Sequence, residues 1–401
     1  MHILYLCQYF HPEMGAPAAR AYEFSRRWVQ AGHKVSVICG IPNHPHGVVY
    51  EGYRKQLLHH ERIDGVDVYR SWVYVTPNAG FYRRILNYSS YAVTSVLAAE
   101  HLEKVDVCIA TSPQFLTGVS GMAVKRTKGV PLVLEIRDLW PDSIKAVGID
   151  VPEAVFSGMQ RLERSMYRDA DEIVIVSKAF EEHIRKAAGG STTIHYVPNG
   201  INAANEPGRP ESRKHFSGAL ESKLLVGYLG TFGMAQGLST VIEAARKLLN
   251  RTEIHFVLVG EGAEKEKIRG LAAQLPNVSI FDRQERQVVA EMLSEIDIAL
   301  VPLRKAELLK TVIPSKMFEC MGAGLPIILG VEGESERILN EAQAGIAVPP
   351  GDPDELAVAI ERMAGDEQLR KWYSINASIY VRKNHNLDQL ANHYLSVLRS
   401  V

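Results

Sequence analysis

Residues 301–330 read VPLRKAELLKTVIPSKMFECMGAGLPIILG. An apolar strand end runs into a charged loop, a helix opens at Pro314–Ser315, GAGLP closes it, and a second apolar run follows. Pro and Ser are first-turn residues, and a short, continuously apolar run suits a strand covered on both faces. The stretch is therefore one strand–helix–strand unit. Outward from it the alternation repeats. Strands are predicted at 224–229, 254–259, 278–281 and 298–301 before it, and at 326–329 and 346–348 at its end and beyond. The first half carries its own series, at 2–9, 35–39, 66–69, 107–111, 132–136, 173–176 and 194–197. Segments such as 16–31 and 115–128 are long enough for crossover helices.

Strand and helix in alternation predict parallel, doubly wound α/β sheets, and two such series predict two Rossmann-like lobes. The break falls at 202–217, NAANEPGRPESRKHFS, rich in Pro, Gly and charge. The boundaries read from this are 1–203 for the first lobe, 218–375 for the second, and a closing helical segment, 376–401. A chain of 401 residues fits two lobes of ordinary size. Its 46% hydrophobic and 23% charged residues place it among soluble globular proteins. A net charge of -1 argues against a nucleic-acid binder, which needs a basic excess. Cys7, Cys39 and Cys108 sit in apolar runs and no CxxC occurs, so disulfide and metal roles are not expected and a reducing compartment fits. MHILYLCQYFHPE reads as a first strand, since no basic region precedes the apolar run as it would in a signal peptide. No apolar stretch approaches the roughly 20 residues that span a bilayer. A cytoplasmic protein is the expectation.

In open α/β sheets ligands lie beyond the carboxyl ends of strands, so the residues after each strand are the candidates. HPEMGAPAAR puts Gly15 at a helix start, where a phosphate or an acceptor can approach the backbone. The absence of GxGxxG there disfavours a dinucleotide dehydrogenase. EIRDLWPDS places Arg137 and Asp138 at a strand end. VGYLGTFGMAQG and LVGEG, after consecutive strands, offer Gly230, Gly233, Gly237, Gly260 and Gly262 as a phosphate-approaching pair of loops. In the opening stretch Arg304, Lys305 and Lys310 supply positive charge, and Lys316 and Glu319 share one face of the new helix. A cation beside a helix N-terminus can cradle a diphosphate, and a carboxylate one turn on can accept ribose hydroxyls. The plainer alternative for each loop is a routine strand-to-helix turn. Asp169–Ala170–Asp171 has a metal-binding DxD pattern but precedes a strand instead of following one, and His44 and His46 lack a third ligand. Residues 79–99, AGFYRRILNYSSYAVTSVLAA, join aromatic residues to Arg83 and Arg84, as at an anionic membrane interface. An ordinary core-facing helix is the alternative.

On these residues the chain resembles the retaining GT-B glycosyltransferases of family 4. The resemblance runs from residues 4–15 through VS at 176–177, VPNG at 197–200, LVGEG at 258–262, 314–324 and GDP at 351–353. RDLWPDS, GMAQGL and IPSKMFECMGAG are similar to the bacterial branch that builds O-antigen, capsule and colanic-acid-type polysaccharides, including transferases of N-acetyl-L-fucosamine onto lipid-linked sugars. The resemblance implies two lobes facing across a cleft, an acceptor on the first, a UDP-sugar donor on the second, and a closing helix that packs back on the first lobe. It implies no metal and no cofactor beyond the nucleotide-sugar substrate. Departures are visible: Thr311 stands at the family's first glutamate, Thr231 and Gln236 at its diphosphate-gripping Arg and Lys, and Arg137 at its His. Lys316, Arg304 and Arg137 are the cations left to do that work. On this reading the donor side comprises Gly15, Gly230, Thr231, Phe232, Gly233, Gln236, Gly260, Gly262, Arg283, Arg304, Ile313, Pro314, Ser315, Lys316 and Glu319. Arg137, Asp138, Lys316 and Glu319 are the catalytic candidates, and His46, Tyr82, Arg83 and Arg84 stand on the acceptor side. The expected reaction is a front-face displacement in which the departing phosphate takes the acceptor proton. A UDP-sugar epimerase, an NAD-type oxidoreductase and a non-catalytic nucleotide-sugar binder are the rival readings.

Overall fold

The computed structural model describes residues 1–13, 15–44, 46–77, 81–146, 151–190, 192–202 and 212–401, without the side chains of Phe81, Tyr82, Lys145, Ala146, Arg286 and Leu308. The chain divides into two compact units, Met1–Asn199 with Leu387–Val401, and Gly200–Asn386.

The first unit holds β1 (His2–Leu6), β2 (Lys34–Gly40), β3 (Leu58–Ile63), β4 (Val66–Ser71), β5 (Val107–Thr111), β6 (Leu132–Ile136), β7 (Glu172–Ile175) and β8 (Thr193–Tyr196). Their order is β3-β4-β2-β1-β5-β6-β7-β8. Successive residues of β1 point to opposite faces. Ile3 and Tyr5 join Phe24 and Trp28 of the helix Ala16–Gln30, whereas Leu4 and Leu6 join a second apolar layer with Cys108, Leu132 and Leu134. Every strand pair is parallel except β3 with β4. The wholly parallel expectation is corrected there: β3, LHHERI, is an antiparallel edge strand whose charged residues hid it from an apolar pattern. Asp64 and Gly65, at φ 48° and 83°, make the left-handed two-residue turn of its hairpin.

The closing helix Leu387–Arg399 lies on the first unit, with Tyr394 edge-on to Trp28 at 5.3 Å and the Trp28 indole N–H donating to the Ala391 carbonyl at 3.2 Å. The return begins later than residue 376. The preceding helix Glu367–Asn384 buries Ala377 and Val381 in the core of the second unit, which therefore extends to Asn386. Most of the predicted linker, 203–211, lies outside the described residues.

The second unit holds β9 (Leu224–Leu229), β10 (Ile254–Val259), β11 (Val278–Phe281), β12 (Ile298–Pro302), β13 (Ile327–Gly330) and β14 (Gly345–Ala347). All pairs are parallel, in the order β11-β10-β9-β12-β13-β14. Chain order reverses between β9 and β12, and in the first unit between β1 and β5. Each reversal opens a crevice at the carboxyl ends of the strands.

Candidate functional site

At the crevice of the second unit the loop after β9 meets the loop after β12. The Arg304 N–H donates to the Ala235 carbonyl at 2.8 Å. Gly237, left-handed at φ 59°, opens the helix Leu238–Lys247, and a side chain there would press on Arg304. The glycine loops do not cradle phosphate with all the N–H groups expected of them. Gly230 donates to Val259 at 2.8 Å, Phe232 to Glu261 at 2.8 Å and Gly260 to Phe281 at 3.1 Å. Their glycines instead permit loop-on-loop packing: a Cβ at Gly260 would strike the Gly230 carbonyl, and one at Gly262 the Phe232 backbone. Phe232 is likewise corrected. Its ring is wholly buried, so it braces both loops and cannot face a donor. The N–H groups of Thr231 and Gly233 have no partner among the described residues.

The helix Ser315–Gly322 starts from extended Pro314, with no side-chain cap and no acidic residue in its first turn. Its free N–H groups and dipole favour an anion. Lys316, its second residue, lays its amine against Gly230, where a Cβ would collide with the lysine Nζ and Cε. The same amine stands 5.2 Å from the ring centroid of Tyr228, whose hydroxyl donates to the Thr231 carbonyl at 2.6 Å. Lys316 has no carboxylate partner among the described residues, and neither have exposed Arg304 and Lys305. Lys310 must be withdrawn as a free cation, because it pairs with Glu307 at 2.7 Å and Glu332 at 3.5 Å. Glu319 is exposed one turn beyond Lys316. Arg283 is exposed two residues past β11, and Ile313 packs partly against the core. The structure thus brings Lys316, Gly230, Gln236 and Arg304 to one crevice.

Arg137 and Asp138 belong to the first unit, after β6, and their N–H groups face the Ser112 hydroxyl at 2.7 and 3.4 Å. Arg137 Nε and Nη1 are buried without a hydrogen bond among the described residues. Burial, then nearby Arg20, lower its pKa, while Glu135 raises it. Burial pushes the Asp138 carboxyl up to about 6 against the pull of Arg137. Beneath them lies a group the sequence reading missed. Glu135, fully buried, accepts from Tyr5 (2.8 Å), Thr111 (2.6 Å) and Arg20 (2.9 Å). Burial pushes its pKa up, but Arg20, Arg137 and these hydrogen bonds outweigh that and hold it low. Arg20 also donates to the Val197 and Pro198 carbonyls at 2.8 and 2.7 Å. The signal was present, a glutamate inside the apolar strand LVLEI.

Gly15 caps the helix Ala16–Gln30 at φ 148°, exposed. His46 and Arg83 are exposed, Arg84 donates to the Tyr88 hydroxyl at 3.3 Å, and the Tyr82 side chain lies outside the described residues. The DxD pair is structural: Asp169 binds Arg126 at 3.1 Å, and Asp171 binds Lys125 and the Leu132 N–H. Among the described residues no three His, Cys, Asp or Glu side chains converge as metal ligands.

Residues 15–200 match the glycosyl transferase 4-like domain, and residues 223–366 match the glycosyl transferases group 1. The chain is 27% identical over 335 residues to the putative colanic acid biosynthesis glycosyl transferase WcaI of Escherichia coli, covering 80% of this chain and 81% of that one. Among solved structures, sucrose-phosphate synthase from Thermosynechococcus elongatus superposes with a TM-score of 0.79 at 16% identity, over 100% of this chain and 98% of that one. Anabaena HepE in complex with UDP superposes with a TM-score of 0.68 at 16% identity, over 100% of both chains.

Proposed function

The chain belongs to the family 4 glycosyltransferases of the GT-B fold, and from that premise we propose that it moves a sugar from a UDP-sugar, with retention of configuration, to a lipid-linked saccharide during assembly of a bacterial surface polysaccharide. N-acetyl-L-fucosamine or a related sugar is the group transferred, and the work is done at the cytoplasmic face of the inner membrane. The name of the colanic-acid relative and the UDP held by the Anabaena protein support the pathway and the nucleotide.

One observation carries the reading: Lys316, a cation without a carboxylate partner among the described residues, lies against Gly230 at the switch point, on the first turn of an uncapped helix. The donor diphosphate sits there. As the sugar–phosphate bond breaks, negative charge grows on the phosphate, and Lys316, Arg304 and the helix N–H groups offset it, which is the largest expected catalytic contribution. The departing phosphate oxygen takes the proton of the attacking acceptor hydroxyl on the same face of the sugar, so retention needs no strong protein base. No metal is used, since these cations supply the charge.

Lys316→Ala should therefore lower kcat about 100-fold or more while changing the KM for UDP-sugar little. Activity should persist in EDTA. Wild-type turnover by the variant would place the leaving group elsewhere, and loss of activity in EDTA restored by Mg²⁺ would refute metal independence.

A further inference from the structure

The helix Glu367–Asn384 of the second unit is apolar on two opposite sides. Ala377 and Val381 lie in the core of that unit. The Ser374 hydroxyl donates to the Gly324 carbonyl at 2.5 Å and the Asn376 amide to the Gln343 carbonyl at 3.3 Å, so the helix is held in one rotation. Trp372, Ile375 and Ile379 consequently face solvent, exposed at 46%, 59% and 61%. A single exposed apolar residue is ordinary, but three in line on one helix mark a surface that takes a partner.

Their spacing and the charges around them say which partner. Intervals of three and four residues make the seam of a two-helix coiled coil, narrower than the stripe by which a helix lies on a core or a bilayer. Exposed Gln368 and Arg382, four residues before and three after, continue the seam with polar ends. The occupant is accordingly a second helix. Asp366 and Glu367 stand at the head of this one, and Arg382 and Lys383 at its tail. Glu367 meets Lys371 on the surface at 2.6 Å, whereas Arg382 and Lys383 have no carboxylate partner among the described residues. An anionic membrane would press against the acidic head. The same helix turned end for end instead lays its basic tail on that head. A two-fold axis near Ile375 would set Trp372 over Ile379 and Glu367 beside Lys383, the self-complementarity that such an axis requires.

We propose that the helix Glu367–Asn384 is a homodimer interface, pairing antiparallel with the same helix of a second copy of this chain. The pairing stands whether or not the chain transfers a sugar. A face about 27 Å long and about 10 Å wide falls short of the roughly 800 Å² per partner that a tight complex buries. The dimer is therefore reversible, and forms in the micromolar range.

The test is sedimentation equilibrium of the full chain from about 1 to about 200 µM. Wild type should pass from monomer to dimer with a Kd of about 1–100 µM. Ile375→Glu sets two carboxylates against each other at the axis and should leave a monomer throughout, with Tm unchanged because this side chain meets solvent. Lys383→Glu should weaken the dimer about tenfold, since a two-fold interface meets every change twice. Adding Glu367→Lys to it should bring the Kd back to within about threefold of wild type. Wild type that stays monomeric at the highest concentration, a dimer indifferent to Ile375→Glu, or a charge reversal that the double variant does not rescue would overturn the pairing. So would a monomeric wild type whose flotation with phosphatidylglycerol vesicles is abolished by Ile375→Glu, because the helix would then meet lipid. If Ile375→Glu does not fold by circular dichroism, the charge-reversed variants still decide.

Discussion

Glu319 lies exposed one turn from Lys316, with its carboxylate unpaired among the described residues. If it accepts the ribose hydroxyls, Glu319→Ala removes charge-assisted hydrogen bonds of about 1.5–3 kcal/mol, and the Kd for UDP should rise by ~10–100-fold with Tm unchanged. Calorimetry decides it, and an unaltered Kd would move the ribose away from this helix. Glu13 gives a second test. Burial raises its carboxyl from the ordinary 4.5 to about 7, so the folded state holds the proton longer than the unfolded chain. The resulting stability is whole below pH 4.5 and is lost as the pH climbs through about 7. At about 1.4 kcal/mol per pKa unit the loss is on the order of 3 kcal/mol. Urea midpoints of wild type should fall over this window relative to those of Glu13→Gln, and parallel curves would mean that Glu13 does not titrate there. The first-turn place of Lys316 was legible because Pro and Ser announce a helix start. Its contact with Gly230 was not, since it joins distant parts of the chain. Lys310 was misread although its nearer partner, Glu307 at 2.7 Å, stands three residues before it; the second, Glu332 at 3.5 Å, is brought in only by the fold.

Strands covered on both faces announce themselves, so β1, β9, β10 and β12 were readable as apolar runs interrupted only by His2 and His255. An edge strand facing water carries no such run, and β3 was passed over although its Asp64–Gly65 turn was a usable signal. The glycine loops were found by composition, but composition did not show that they also pack on one another. They serve backbone packing too, because the N–H groups of Gly230, Phe232 and Gly260 are already bonded. That reading separates two substitutions. Gly260→Ala would drive a methyl group into the Gly230 carbonyl and the Phe232 ring, and should destabilise by about 1–3 kcal/mol or more. Gly233→Ala would meet the end of the flexible Gln236 side chain and should cost far less. Thermal melts of the two variants test this, and equal losses would contradict the loop-on-loop packing.

For the whole molecule, the exposed surface bears on where it works. Among the described residues no helix is long and apolar enough to cross a membrane. The helix Phe81–Glu100 buries Tyr91 and Ser95 on one side, yet leaves Leu86, Val93 and Leu97 exposed at 55%, 62% and 59%. These three recur at helical spacing beside exposed Arg83, as an interfacial helix requires. The chain should float with vesicles rich in phosphatidylglycerol and stay behind with phosphatidylcholine alone. A Leu86→Glu, Val93→Glu double variant should not float, and its flotation at wild-type levels would refute this surface. The path of the chain has a different consequence. Trp28 and Phe24 are covered by Tyr394 and its helix, which follow the whole second unit along the chain. On the ribosome, therefore, the unit begun first is closed last, after the whole of residues 200–386 has emerged and been free to condense. At about 5–20 residues per second the nascent chain carries that unclosed aromatic face for about 20–70 s, and during that interval it is open to a chaperone or to a neighbouring chain.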